Sequence, residues 1–95
     1  MSRIMIYRIV KLTYENDEEY YAIQRRKKSW LTGRIYWQYL EGSYYSYEWT
    51  RYPKYAERFG SIRDAEQEID RIKHTYAMCR GPVNINIEKT YEQGD

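Results

Sequence analysis

Few residues in this chain have the type and spacing to do covalent chemistry. It holds a single histidine and a single cysteine. His74 follows Asp70 by four residues, a spacing that places two side chains together on a helix. In the last turns of a helix a cationic or polar side chain suits the negative end of the dipole, so His74 needs no role as a general base. Cys79 stands at the end of the same predicted helix. A reactive thiolate favours a helix N-terminus or a basic neighbour; Arg80 is adjacent, but the dipole acts against it. One cysteine excludes an internal disulfide and a zinc site of several thiolates, and it fits a reducing, cytoplasmic setting. The five glycines are isolated, with no phosphate-cradling pattern. Asp17, Glu18 and Glu19 fall in a turn, and the other acids are mainly helical and solvated. No carboxylate pair stands out for glycoside hydrolysis or metal binding. The expectation is a protein that is not an enzyme, with no catalytic residue, no metal and no cofactor.

Binding chemistry has two candidate locations. The run Arg25, Arg26, Lys27, Lys28 is followed closely by Trp30. Cations that hold phosphates, interleaved with rings that stack on bases, are what a single-stranded nucleic-acid groove requires, and a small nucleotide makes the same demands. In a strand, however, Arg25 and Lys27 point away from Arg26 and Lys28. The run would then be a solvated strand end that discourages edge pairing, or a contact for an acidic protein. The second location is the stretch from Tyr44 to Tyr55, YYSYEWTRYPKY, half of it aromatic. Tyr, Trp and Arg dominate interface hot spots. Tyr44, Trp49, Tyr52 and Tyr55 are therefore candidate anchors for a protein partner, with Arg51 and Lys54 as polar contacts. The same rings would serve a homodimer of two sheets, or cross-strand pairs that stabilise one sheet.

These residues must be positioned by strands and one helix. Residues 4–14 are rich in β-branched and aromatic types, with Ile4, Ile6, Val10 and Leu12 on one side, interrupted by Arg8. A polar turn at 15–18 leads to a return strand from Tyr20 to Arg26, an antiparallel hairpin. Gly33 marks a bend. Residues 34–40 form a third strand with Ile35, Trp37 and Tyr39 on one side. After a turn at Glu41, Gly42 and Ser43, residues 44–52 alternate as a fourth strand that Pro53 ends. Tyr45, Tyr47 and Trp49 share one face, and which face the helix covers is left open. Tyr44 and Tyr52 share the other, with Tyr36 and Leu40 beside them if the third strand has the same phase. Ser61 is an N-cap followed by Asp64. Ile62, Ala65, Ile69, Ile72 and Tyr76 make an apolar stripe, and Gly81 with Pro82 stops the helix. Residues 83–87, V-N-I-N-I, alternate as a last strand, and 90–95 form a frayed tail. The order β-β-β-β-α-β over one domain, 1–95, predicts an α+β fold: an antiparallel sheet with one helix packed on one face.

The segment Phe59 to Ile69 has the form F-x-S-x-x-x-A-x-x-x-I after antiparallel strands. It resembles a pattern found in small accessory proteins of bacteriophages and mobile elements. The resemblance implies a role in binding, such as inhibition of a host defence complex in the host cytoplasm, and carries over no functional residue. Many such proteins are strongly acidic nucleic-acid mimics. This chain is not: its net charge is +2, with eight basic and four acidic residues in 1–40 and eight basic and ten acidic in 41–95. An anionic site would be local to the first half. No signal peptide is expected, since Ile4–Ile6 is followed at once by Tyr7 and Arg8. No apolar run approaches the roughly 20 residues that span a bilayer. The expected function is a non-catalytic protein-binding module acting by steric occlusion, plausible as a phage-type inhibitor; the alternative is single-stranded nucleic-acid or small-nucleotide binding.

Overall fold

In the computed structural model, residues 5–42, 47–79, 81, 84–92 and 94 are described. Strands β1 (Tyr7–Thr13), β2 (Glu19–Lys28), β3 (Ile35–Leu40) and β4 (Trp49–Thr50) form one antiparallel sheet in the order β1-β2-β3-β4. A 3-10 turn, Pro53–Tyr55, and one helix, α1 (Ile62–Cys79), follow. The fold is α+β, with α1 packed against β1 and β2. No helix among the described residues is long and apolar enough to cross a membrane.

Turn chemistry sets the register. Between β1 and β2, Asp17 takes a left-handed backbone with φ 66°, which the short polar Asp side chain tolerates. The Asp17 N–H donates to the Tyr14 carbonyl and the Tyr14 N–H to the Glu18 carbonyl, both at 2.9 Å. Tyr7 then faces Arg25, and Ile9 faces Ile23. Between β2 and β3, the Gly33 N–H reaches the Ser29 carbonyl at 2.8 Å with φ 71°, and Arg26 comes to face Trp37.

Register and parity together decide which face the helix covers. The core is Ile23, Leu40, Ala65 and Ile72, flanked by half-buried Tyr7, Ile9, Tyr47, Trp49, Phe59, Ile69 and Tyr76. The helix side of the sheet is thus built from Tyr7, Ile9, Ile23, Arg25, Tyr36, Gln38, Leu40 and Trp49. Two facings that the sequence left open are decided. In β1 the inward residues are Tyr7 and Ile9, while Arg8, Val10 and Leu12 lie opposite; Arg8 interrupts the outer face. In β3, Leu40 is fully buried beneath the helix, and it takes Tyr36 to that side with it. Ile35, Trp37 and Tyr39 face outward. Tyr47 and Trp49 pack under the helix, which decides between the two faces that the sequence left open.

The helix begins where Ser61 Oγ accepts the Asp64 N–H at 3.1 Å, satisfying one orphan amide of the first turn. Its 18 residues span about 27 Å. Ala65 and Ile72 face the sheet, but Ile62, the first member of the apolar stripe, is about half exposed. Beyond the helix, Gly81 adopts φ 83°, a conformation glycine takes without Cβ strain. Arg80, Pro82 and Val83 lie outside the described residues.

Two predicted strands are shorter or missing. The fourth comprises Trp49 and Thr50 alone, and Ser43 to Ser46, including Tyr44 and Tyr45, lie outside the described residues. Tyr52 has already left the sheet for the 3-10 turn. The last predicted strand does not join the sheet. Asn84–Thr90 belong to no element, with Ile85 and Ile87 86% and 84% exposed. Alternation gave them a strand's pattern, but among the described residues no edge pairs with them. Ile4 also lies outside the described residues.

The 3-10 turn lies across the far face. Pro53 and Lys54 line a cleft with Lys11, Leu12, Thr13 and Tyr14, and Ala22, on that half of the face, is fully buried. The chain then returns to the sheet: the Glu57 N–H donates to the Leu40 carbonyl at 2.8 Å, and Phe59 exchanges both backbone bonds with Tyr21 at 2.8 Å. The half of the outer face toward the β2–β3 turn carries Arg8, Arg26, Lys28, Ile35 and Trp37.

Candidate binding surface

Between Tyr20 and Leu40 the sequence contains no acidic residue. The antiparallel order folds this stretch so that its cations meet at one end of the sheet. Arg8 enters from the start of β1, Arg25 to Lys28 from the end of β2, Arg34 from the turn, and Arg51 from the chain just after β4. Among the described residues the two ion pairs are Lys11–Glu19 and Arg71–Glu68. None of these seven cations is in either.

Three of them, Arg8, Arg25 and Arg51, are partnered by rings or amides instead. On the outer face the Arg8 guanidinium sits 3.6 Å from the centroid of the Trp37 ring, and its Nε donates to Gln24 Oε1. Gln24 is buried, so it fixes the Arg8 side chain from below. Arg26 and Lys28 share this face and are exposed. On the helix face Arg25 donates from Nε to Gln38 Oε1 at 2.9 Å and lies 4.5 Å from the Trp49 ring centroid. Burial lowers the Arg25 pKa below the ordinary guanidinium value, while Tyr76, which it hydrogen-bonds, and nearby Tyr7 and Tyr36 act the other way. Arg51 lies over Tyr36 at 4.4 Å. Tyr7 stacks on Trp49, with centroids 6.0 Å apart and ring planes at 28°.

The expected run Arg25–Lys28 is therefore divided. Arg25 is held inside the sheet–helix seam. Lys27 shares its face opposite Tyr36, and Arg26 and Lys28 lie on the outer face. Trp30, at the tip of the β2–β3 turn, is 90% exposed, with exposed Leu31 beside it. Arg8, Arg34 and Trp37 also belong to this end, and the sequence reading did not select them. The signal was present in Arg8, the charge that breaks the alternation of β1, once the outward phase of β1 is known.

The tyrosine-rich candidates separate in the same way. Trp49 is half-buried against the core, and among the described residues its Nε1 is a buried donor without a partner. Tyr52 and Tyr55 are 63% and 51% exposed. They meet edge to face with centroids 6.2 Å apart, and Lys54 Nζ lies 5.0 Å from the Tyr55 ring centroid. Tyr44 lies outside the described residues. Tyr47 is structural: burial raises its pKa, the Glu68 carboxylate adds to this, and Thr75 opposes it through a hydrogen bond. His74 and Cys79 are both exposed on the helix. Among the described residues no three His, Cys, Asp or Glu side chains group to hold a metal ion.

Ten of the fourteen acids lie toward the other end of the molecule, which also holds Lys11, Lys54 and Arg58. Glu15, Asp17 and Glu18 lie in the β1–β2 turn and Glu19 opens β2, while Glu41, Glu48 and Glu57 surround the end of β3. Asp64, Glu66 and Glu68 occupy the first half of α1, which begins beside Tyr21 and runs toward Arg25. Comparison with known proteins finds no matching family model, no similar curated protein and no similar solved structure.

Proposed function

We propose that this chain is a non-catalytic binding domain whose basic end engages single-stranded nucleic acid. The observation that carries this is the carboxylate-free group of Arg8, Arg26, Lys28 and Arg34 beside the exposed Trp30 ring. Cations not neutralised within the fold are available to phosphates, and each contact releases condensed counterions. An exposed indole among them offers a stacking surface that any base can use. Arg25 contributes by holding the sheet–helix seam behind this end. Fluorescence anisotropy with a labelled oligothymidine or oligouridine tests the reading. Binding at low salt that weakens steeply as salt is added supports it, and no binding at low salt overturns it. Calorimetry with cyclic nucleotides distinguishes a small-nucleotide ligand from a polymer.

A second reading has its own observation. Tyr52 and Tyr55 form an exposed aromatic pair beside Lys54 and Arg51, the composition of a protein-binding hot spot. Under this reading the domain acts in the cytoplasm as a phage-type inhibitor that occludes a host complex. Retained capture of a partner by the Tyr52→Ala/Tyr55→Ala variant would remove it.

A further inference from the structure

The sheet has two edges, and they differ. The β4 edge is two residues long and is followed at once by the Pro53 turn. Short strands and proline are common ways to blunt an edge. The β1 edge is seven residues long. Its hydrogen-bonding phase follows from the register. The Arg26 N–H donates to the Ile6 carbonyl and the Tyr14 N–H to the Glu18 carbonyl, so even-numbered residues of β1 bond toward β2. In an antiparallel ladder the alternate residues then point their N–H and C=O groups away. Ile9, Lys11 and Thr13 present those groups at the outer edge. Their side chains lie on the helix side of the sheet, where Ile9 is half-buried.

The same chain carries a strand without a ladder. Asn84–Ile87 alternates Asn with Ile, and both isoleucines are almost fully exposed. Period 2 places both on one face and both asparagines on the other. The segment stands off its own sheet. The radius of gyration is 19.1 Å and the molecule extends 73 Å in its long direction, whereas a compact chain of this length has a radius of gyration of about 12 Å.

We propose that residues 84–87 pair with the β1 edge of a second copy of this chain, in a reciprocal two-fold exchange. Every copy holds both halves of the contact, so one symmetric dimer covers two open edges and four exposed isoleucines. Backbone bonds to Ile9 and Lys11 give the affinity, because four residues reach two outward positions of the edge. Placing Ile85 and Ile87 on the helix side, next to Ile9, sets the register. The contact leaves the basic end of the sheet outside the ladder, so it stands independently of nucleic-acid binding.

The test combines molar mass with amide exchange on the full chain. Light scattering across a dilution series should show a dimer that dissociates. Hydrogen exchange should show the Ile9 and Lys11 amides protected in the dimer and exposed on dilution. The Arg8, Val10 and Leu12 amides should stay protected throughout. Ile85→Asp/Ile87→Asp, in a segment outside the core, should raise the dissociation constant at least ten-fold with the circular dichroism spectrum unchanged. Lys11→Pro removes one outward N–H from the receiving edge and should do the same. A monomer at all concentrations overturns the proposal, whether the Ile9 and Lys11 amides are exposed or are protected by the chain's own segment. So does a dimer that survives both variants.

Discussion

Arg25 and Arg26 are neighbours in sequence, yet replacing each with glutamine should give opposite signatures. Arg25→Gln removes a 2.9 Å bond to Gln38 and a guanidinium 4.5 Å from the Trp49 ring centroid. A hydrogen bond to a charged group contributes about 1.5–3 kcal/mol, and a cation–π contact about 0.5–2 kcal/mol. The burial that lowers the Arg25 pKa works against both, leaving a net loss of about 2 kcal/mol. In a domain of this size 1 kcal/mol moves the Tm by roughly 4–8 °C, so a fall of about 8–16 °C is expected. Arg26 is exposed, and its loss should change stability by no more than about 0.5 kcal/mol. It should alter nucleic-acid binding instead. With Arg8, Arg26, Lys28 and Arg34 each on a phosphate, log K against log salt has a slope of about −2.8 for a single strand. Affinity then falls roughly 50-fold between about 50 and 200 mM salt. Arg26→Gln should flatten the slope to about −2.1, and the same fall to roughly 20-fold. Thermal melts and anisotropy titrations at several salt concentrations read both quantities. Unchanged melting of Arg25→Gln, or an unchanged salt slope for Arg26→Gln, would refute the division of the run between a structural and a ligand-facing side.

Trp30→Ala should weaken single-stranded binding by about 1–3 kcal/mol, one base's stacking, while leaving the salt slope intact; the same titrations check this. Burial, and then Glu68, raise the Glu57 pKa above its ordinary value of 4.5. The folded state therefore holds this proton more tightly, and that stabilisation is fully present below pH 4.5 and lost as pH rises through the folded value. Glu57→Gln should melt higher than the parent at pH 7, and the gain should vanish at about pH 4. Gly42 has φ 84°, and a Cβ there would stand 2.6 Å from Glu57 Oε2. Gly42→Ala should cost about 1–2 kcal/mol in chemical denaturation from backbone strain alone. Part of any excess should disappear in a Glu57→Ala background, whereas Gly33→Ala, whose Cβ would meet only Lys28 Cε at 3.8 Å, should show the backbone cost without an excess.

The antiparallel hairpin, the cap at Ser61 and the helix were legible in the sequence because each has a local cause. Asn16 and Asp17 make a turn, Ser61 offers a hydroxyl to an orphan amide, and the spacing of Ala65, Ile69, Ile72 and Tyr76 makes a stripe. Facing was less legible. Which side of β1 and β3 turns inward depends on register, and register is fixed by pairings such as Ile9 with Ile23 and Leu40 with Trp49 that join distant residues. The phase of β3 places Leu40 in the core and that of β1 places Arg8 on the outer face, two outcomes that alternation alone left open. The basic run was visible, and so was its split by strand alternation. Its companions Arg8, Arg34 and Trp37 came from separate stretches that only the sheet brings together. Asn84–Ile87 shows the limit from the other side: alternation reveals a strand's pattern without revealing the edge that would complete it.

One end of the sheet carries seven cations and no carboxylate, while the other mixes acids with Lys11, Lys54 and Arg58, so the net charge of +2 describes this molecule poorly. Its dipole moment is the more telling quantity. A particle of this kind turns in a field before it drifts, so an approaching polyanion would meet the β2–β3 turn first and the β1–β2 turn last. Salt would slow that encounter by shortening the distance over which the molecule is oriented, about 10 Å at 0.1 M. On an ion exchanger near neutral pH, the protein should adhere to cationic and anionic resins alike, presenting opposite ends to each.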